Sequence, residues 1–284
     1  MFVETIAIVG VGLLGGSIGL AVRERHLARR VVGIGRDLAK LREAENRGAV
    51  TEVTTDLAAG VRDANLIIIC TPVETVVDFV RQIAPVVGKG TLITDVGSTK
   101  ASIVDGADKV LADGKGLWAA FVGSHPLAGG EKNGVLFAKA DLLEERTVVV
   151  TPSAATNPDA AAKVERFWQA LGARTVRVTP EEHDVAIAAT SHLPHLVASA
   201  LAAATPVNDL PLAAAGWSDT TRIAAGDAEL WRQILLDNRV HTLKALERFE
   251  KVMAELRAAL EANDSAALLR LLTQGKRNRD FVGN

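Results

Sequence analysis

Residues 6–19 read IAIVGVGLLGGSIG: an apolar β-branched run, a glycine-rich turn, then the start of an apolar helical pattern. Gly10, Gly12 and Gly15 fall in G-x-G-x-x-G, and each position carries its own demand. The first glycine permits a tight turn, the second lets backbone approach a pyrophosphate, and the third lets helix and strand pack closely. The helix that follows presents free N–H groups and the positive end of its dipole. A glycine-rich turn can also be purely structural, but the strand before it and the helix after it favour a dinucleotide site. That site is built from Gly10, Gly12, Leu13, Leu14 and Gly15.

The rest of the first 178 residues fits the same architecture. Short apolar runs recur at TIAIV (5–9), RVVGI (30–34), LIIIC (66–70), TLITDV (91–96), AAFVG (119–123), RTVVVT (146–151) and RTVRV (174–178). Helical patterns lie between many of them, over residues 13–27, 38–48, 73–87 and 158–172. Near-continuous apolar strands alternating with helices predict a parallel sheet covered on both faces. From Thr179-Pro180 onward the strand signal disappears, and residues 185–204, 231–263 and 265–274 all read as helix. The expectation is an α/β Rossmann-like domain over residues 1–178, then an all-α domain over 179–284. The Ala/Leu-rich helices have no sheet to cover, which points to dimerisation.

The end of the second strand bears on cofactor choice. An acid there holds a ribose 2′-hydroxyl; this chain has Gly35 followed by Arg36. A small residue and a guanidinium suit a 2′-phosphate, so NADP is expected over NAD. Asp37 reads as the cap of the next helix. Thr71 and Pro72 follow the LIIIC strand and either border the cofactor path or form a simple strand-exit turn.

Composition narrows the function classes. With 284 residues, a net charge of -2 and no basic block, the chain has no electrostatic case for nucleic acid or an anionic membrane. A single cysteine, Cys70, excludes an intrachain disulfide and reads as a buried strand thiol. The first residues lack a basic region and a cleavage site, and no uninterrupted apolar run approaches bilayer length, so cytoplasm is the expected compartment.

Two further strand ends carry chemistry. TLITDVGSTK supplies Asp95, Ser98 and Lys100; AAFVGSHPLAGGEKNG supplies His125, Glu131 and Lys132. Both belong on the crevice side of the sheet. Ser98 is also a candidate N-cap for the helix after it. In the helical half, SHLPH places His192 and His195 three apart, and DTTRIA contains Arg222. No third ligand accompanies the two histidines, which argues for a helix lining a cleft rather than a metal site. Arg222 is a candidate carboxylate anchor, with helix capping or a surface ion pair as the plainer use.

GVGLLGGS, DVGSTK, GSHPLAGGEKNG, SHLPH and DTTRIA, in this order, resemble the prephenate/arogenate dehydrogenases of tyrosine biosynthesis almost end to end. The resemblance implies an NAD(P)-dependent oxidative decarboxylation in a two-domain homodimer. It further implies His125 as catalytic histidine, Ser98 as its assistant, and His195, His192, Arg222 and Glu131 at the substrate. The chain departs from the usual pattern at Gly130, before Glu131, and at Gly35. A chorismate mutase segment before residue 5 and a regulatory ACT domain after the helical half are not expected. Other two-domain dehydrogenases rely on a lysine in the helical half, and no lysine lies between residues 164 and 243. A non-catalytic dinucleotide sensor would need neither the Ser98 and His125 loops nor Arg222.

Overall fold

Strand β1 (Val3–Val9) sends Ile6 and Ile8 to one face of a sheet and Ala7 and Val9 to the other, all within 2% exposure. Two-faced burial of this kind requires helices on both sides. The computed structural model describes residues 1–113, 119–130 and 132–283. After β1 come α1 (Leu13–Glu24), β2 (Ala28–Ile34), α2 (Leu38–Asn46), β3 (Glu52–Thr54), α3 (Leu57–Val61), β4 (Leu66–Ile69), α4 (Val73–Ile83), β5 (Leu92–Asp95) and α5 (Ala101–Asp113). β6 (Ala120–Pro126), β7 (Thr147–Thr151), α6 (Pro158–Ala170) and β8 (Arg174–Arg177) complete the sheet, in the order β3-β2-β1-β4-β5-β6-β7-β8. One core contains Ile18 and Val22 of α1 with Phe167 and Trp168 of α6; the other contains Val76 and Val80 of α4 with Ile103 and Val104 of α5.

The sheet is not parallel throughout, as the strand pattern predicts. β7 runs antiparallel to β6, and β8 is parallel to β7. Apolar runs do not encode strand direction, which is set by the connection. The reversal has a local consequence. β6 pairs with β5 only through Val122, then continues through Pro126 by pairing with β7. His125, expected in a loop, is therefore a strand residue opposite Val149, and only 9% exposed.

Compactness divides the chain at Asn238, giving the units Met1–Asn238 and Arg239–Asn284. The change in element type near residue 178 and this division describe different things. α7 (Pro180–Ile187), α8 (Leu193–Ala204), α9 (Ala215–Thr221) and α10 (Ala228–Asp237) belong to the first unit, and Ile234 of α10 joins a core of the sheet. α7 opens with a capping box in which Thr179 and Glu182 bond reciprocally. A π-turn, Ala188–His192, links it to α8. Against the expectation of no bilayer-length run, Pro180–Ala204 is long and apolar enough by length and composition to cross a membrane. It carries buried His183, Asp184, His192 and His195, and Asp184 accepts hydrogen bonds from the sheet side of the same unit.

The single long helix expected over 231–263 is broken. Asn238 leaves the helical conformation (φ -97°, ψ 33°) and gives its amide to the Asp184 carbonyl at 2.8 Å. Beyond it, the second unit is a pair of helices, α11 (Arg239–Glu261) and α12 (Ser265–Val282). They share a cavity of about 400 Å³ lined by Val252, Glu255, Leu271 and Gln274. Leu243, Met253, Leu260, Leu269, Leu272 and Phe281 of this unit remain exposed.

Candidate active site

The glycine turn fits the demands of its motif. Gly10 has φ +92°, a conformation that L residues other than glycine rarely adopt, and a Cβ there would stand 2.6 Å from the Cys70 carbonyl. At Gly15 a Cβ would meet the Gly10 carbonyl at 2.1 Å, so helix and strand pack as closely as expected. A Cβ on Gly12 would touch nothing within 4 Å. Gly12 is also the N-cap of α1 and makes no side-chain capping bond, which leaves first-turn amides for an anion.

A cavity of about 520 Å³ opens from this turn, lined by Gly10, Val11, Gly12, Gly35, Arg36, Asp37, Lys40 and residues 133–136. Arg36 is exposed at its edge. Asp37 caps α2 by accepting from the Ala39 and Lys40 amides at 3.0 and 3.2 Å. Lys40 and the strap carrying Asn133 are cavity residues with no signal in the sequence reading. Leu13 lines a second cavity of about 440 Å³ with Gly129, Gly130 and Lys132, while Leu14 packs on the core. Thr71 and Pro72 stand outside the lining of the larger cavity; the Thr71 hydroxyl accepts from Thr75 at 2.9 Å. Burial raises the Cys70 thiol above its ordinary range and keeps it protonated.

At the carboxyl ends of β5 and β6 a buried polar cluster forms. His125 Nδ1 lies 2.9 Å from His183 Nε2, and His183 Nδ1 lies 2.8 Å from Asp184 Oδ1. Asp184 also accepts the amides of Lys100 (2.8 Å) and Ala101 (2.9 Å). The start of α5 is thus capped from α7, and not by Ser98. The Ser98 side chain is half-buried and makes no hydrogen bond among the described residues; its backbone lies against His192. Asn238 Nδ2 approaches His192 Nδ1 at 3.2 Å. Deeper still, Asp95 pairs with the fully buried Lys100 ammonium and accepts the Gly97 and Ser124 amides at 2.8 and 3.1 Å. Trp168 Nε1 and the Thr94 hydroxyl hold the Ser124 hydroxyl at 3.0 and 2.7 Å.

Burial, reinforced by His183, Lys100 and His192, pushes the His125 pKa well below the ordinary imidazole value. Burial also lowers His192, to about 4, against the pull of Asp184. His195 is lowered by burial too, opposed by the Ile223 backbone. Its ring stacks on Trp231 with centroids 3.6 Å apart, beside the turn that begins at Arg222. Arg222 itself is exposed. Glu131 lies outside the described residues. His125 also lines a cavity of about 470 Å³ with Leu127, Gly129, Ile187, Thr190 and Ser191. The adjacent π-turn is a distortion often found at functional sites. Among the sequence candidates, His125, His192 and the Ser98 backbone meet in one cluster. His183, Asp184, Asn238 and Trp231 complete it, and nothing in a one-dimensional pattern marked them.

The low histidine pKa values have a consequence for stability. The fold binds neutral His192, so its contribution is complete above about pH 6.5 and is lost as pH falls toward 4; a shift of this size is worth on the order of 3 kcal/mol. His125 acts in the same direction. Thermal midpoints are expected to drop steadily from pH 6.5 to 4.5, and a flat profile over that window contradicts the burial of neutral imidazoles.

Comparison with known proteins agrees with this architecture. The family profile described as "Prephenate dehydrogenase, nucleotide-binding domain" matches residues 18–177, and "Prephenate dehydrogenase, dimerization domain" matches residues 179–274. The prephenate dehydrogenase of Bacillus subtilis (strain 168) is 36% identical over 98% of this chain and 76% of its own length. A prephenate dehydrogenase of A. aeolicus, in complex with hydroxyphenyl propionate and NAD+, superimposes with a TM-score of 0.89 at 30% identity, covering 98% of each chain. The arogenate dehydrogenase of Synechocystis superimposes with a TM-score of 0.83 at 29% identity, covering 98% of this chain and 100% of that one.

Proposed function

The chain belongs to the prephenate dehydrogenase family, and from that premise we propose that this oxidoreductase converts prephenate to 4-hydroxyphenylpyruvate with NADP. The observation that carries the reading is His125: a buried imidazole at the carboxyl end of β6, lining a cavity on the crevice side of a dinucleotide fold. Gly10, Gly12, Leu13, Leu14 and Gly15 form the pyrophosphate turn: Gly10 and Gly15 shape it, the first-turn amides that follow Gly12 face the anion, and Arg36 with Lys40 faces the 2′-phosphate. Thr71 and Pro72 border the route from adenine to nicotinamide. When bound, the nicotinamide supplies the hydride acceptor.

His125 receives the proton of the ring hydroxyl as hydride leaves the same carbon. Carbon dioxide departs from the ring, its bonding electrons complete the aromatic system, and no further oxidant is needed. A low pKa keeps His125 neutral at pH 7 and therefore able to accept. Ser98, which makes no side-chain hydrogen bond among the described residues, is available to the same hydroxyl. Arg222 offers a bidentate fork to a substrate carboxylate. His195 and Glu131 complete the substrate contacts, while His192, fully buried, acts from behind the site. The helical part pairs two chains into a homodimer, and the enzyme works in the cytoplasm.

The test is a two-by-two assay of prephenate and arogenate, each with NAD and NADP. Turnover of prephenate with NADP is the expected result; activity confined to arogenate reassigns the substrate, and none with either overturns the proposal. Arg36→Ala is expected to raise the KM for NADP by about 10–100-fold, the size of a lost charge-assisted contact. The KM for NAD should stay unchanged. Equal losses with both cofactors would remove Arg36 from 2′-phosphate recognition.

A further inference from the structure

We infer that His183 and Asp184 set the tautomer of His125, leaving its Nε2 lone pair, and not an N–H, for the ligand in the cavity. The inference rests on the reading of His125 as proton acceptor and adds the device that makes it one. Asp184 is fixed by three donors: the amides of Lys100 and Ala101, and His183 Nδ1. Its burial opposes ionisation, yet these hydrogen bonds outweigh it and hold the carboxyl below its ordinary value. An ionised carboxylate only accepts, so His183 Nδ1 must carry hydrogen. In a neutral His183 the other nitrogen, Nε2, is then an acceptor. It lies 2.9 Å from His125 Nδ1, so the hydrogen between the rings belongs to His125. A neutral imidazole carries one N–H. With Nδ1 protonated, Nε2 of His125 is left bare.

The competing arrangement puts a second proton on His183, which then donates from both nitrogens and turns His125 round to present Nε2–H. The titratable groups around this pair are Lys100, just before α5 and paired with Asp95, His192 on the π-turn, and Asp184 itself.

His183 is thus a positioning residue, and two measurements test the assignment. In the wild-type protein without substrate, long-range 1H–15N correlation at pH 7.5 should show His125 protonated at Nδ1 and bare at Nε2. A proton on Nε2 overturns the inference outright. Among variants, His183→Gln retains an acceptor where Nε2 stood, whereas His183→Leu retains none. His183→Leu is expected to lower kcat by roughly 10²-fold or more, the scale of a general base in the wrong state, with the KM for NADP unchanged. His183→Gln should recover most of that loss and shift the acid limb. Equal losses in the two variants would mean a merely structural role. If His183→Leu does not fold, the tautomer measurement on the wild type decides alone. If His125→Asn retains full turnover, the proton-acceptor reading fails while the tautomer result still stands.

Discussion

His125→Asn is expected to lower kcat by about 10²–10⁴-fold, the usual contribution of a positioned general base, while dissociation of the nicotinamide cofactor stays within a factor of two. Asparagine is chosen for its geometry. Its amide nitrogen falls near the place of Nδ1, so it can still donate to His183 Nε2, which the imidazole approaches at 2.9 Å. The buried network remains satisfied, and what disappears is the acceptor toward the cavity. A fold that is otherwise intact should melt close to wild type. Single-turnover reduction of the nicotinamide cofactor would separate chemistry from product release. Near-normal single-turnover rates would remove His125 from the chemistry altogether. The wild-type pH profile adds a signed check. Because burial and its neighbours depress the His125 pKa, the acid limb of kcat/KM should lie below the ordinary imidazole range near 6.5.

Asp95→Ala should be the most destabilising single change in the site, costing about 3–5 kcal/mol, as when one partner of a buried ion pair is removed. Asp95 and Lys100 are both 0% exposed. Removing the carboxylate leaves the buried ammonium without its contact partner and strands the amides of Gly97 and Ser124 that it accepted. Replacing both residues, as Asp95→Leu with Lys100→Met, removes the charge together with its partner and should cost less than Asp95→Ala alone. Urea unfolding of both proteins reads the difference, and a loss under about 1 kcal/mol for Asp95→Ala would show that Lys100 reaches another anion or water. Lys100→Met carries a second signature. The lysine charge helps depress His125, so its removal should move the acid limb of kcat/KM to higher pH.

Much of this was legible in one dimension. Periodicity and β-branching are local properties, so the seven expected strands occur with their ends displaced by a few residues. The glycines of the first turn carry their reasons with them, because a positive φ at Gly10 and a missing Cβ at Gly15 are demands of single positions. Asp37 caps α2 as its spacing to the helix suggested. Other features were not legible, among them the three-residue strand β3 (Glu52–Thr54). The direction of β7 depends on a connection whose sequence has no directional code. Ser98 looked like the cap of α5 because capping is usually local, yet Asp184, more than eighty residues away, occupies that role. The helix expected through residue 238 breaks there because Asn238 bonds the Asp184 carbonyl, a partner that no helical periodicity can foresee.

By itself, then, the sequence determined the dinucleotide turn, the alternation of strands and helices, the helical second half and the histidine at the end of β6. These follow from backbone sterics and from which faces must be apolar, and such constraints act over a few residues at a time. Tertiary structure alone decided that His125 sits in a strand, that His183 and Asp184 stand behind it, and that Lys100 is buried against Asp95. Those arrangements depend on where a long-range hydrogen bond can offset the burial of a charge or an imidazole. Such an offset exists only once distant segments have been brought together.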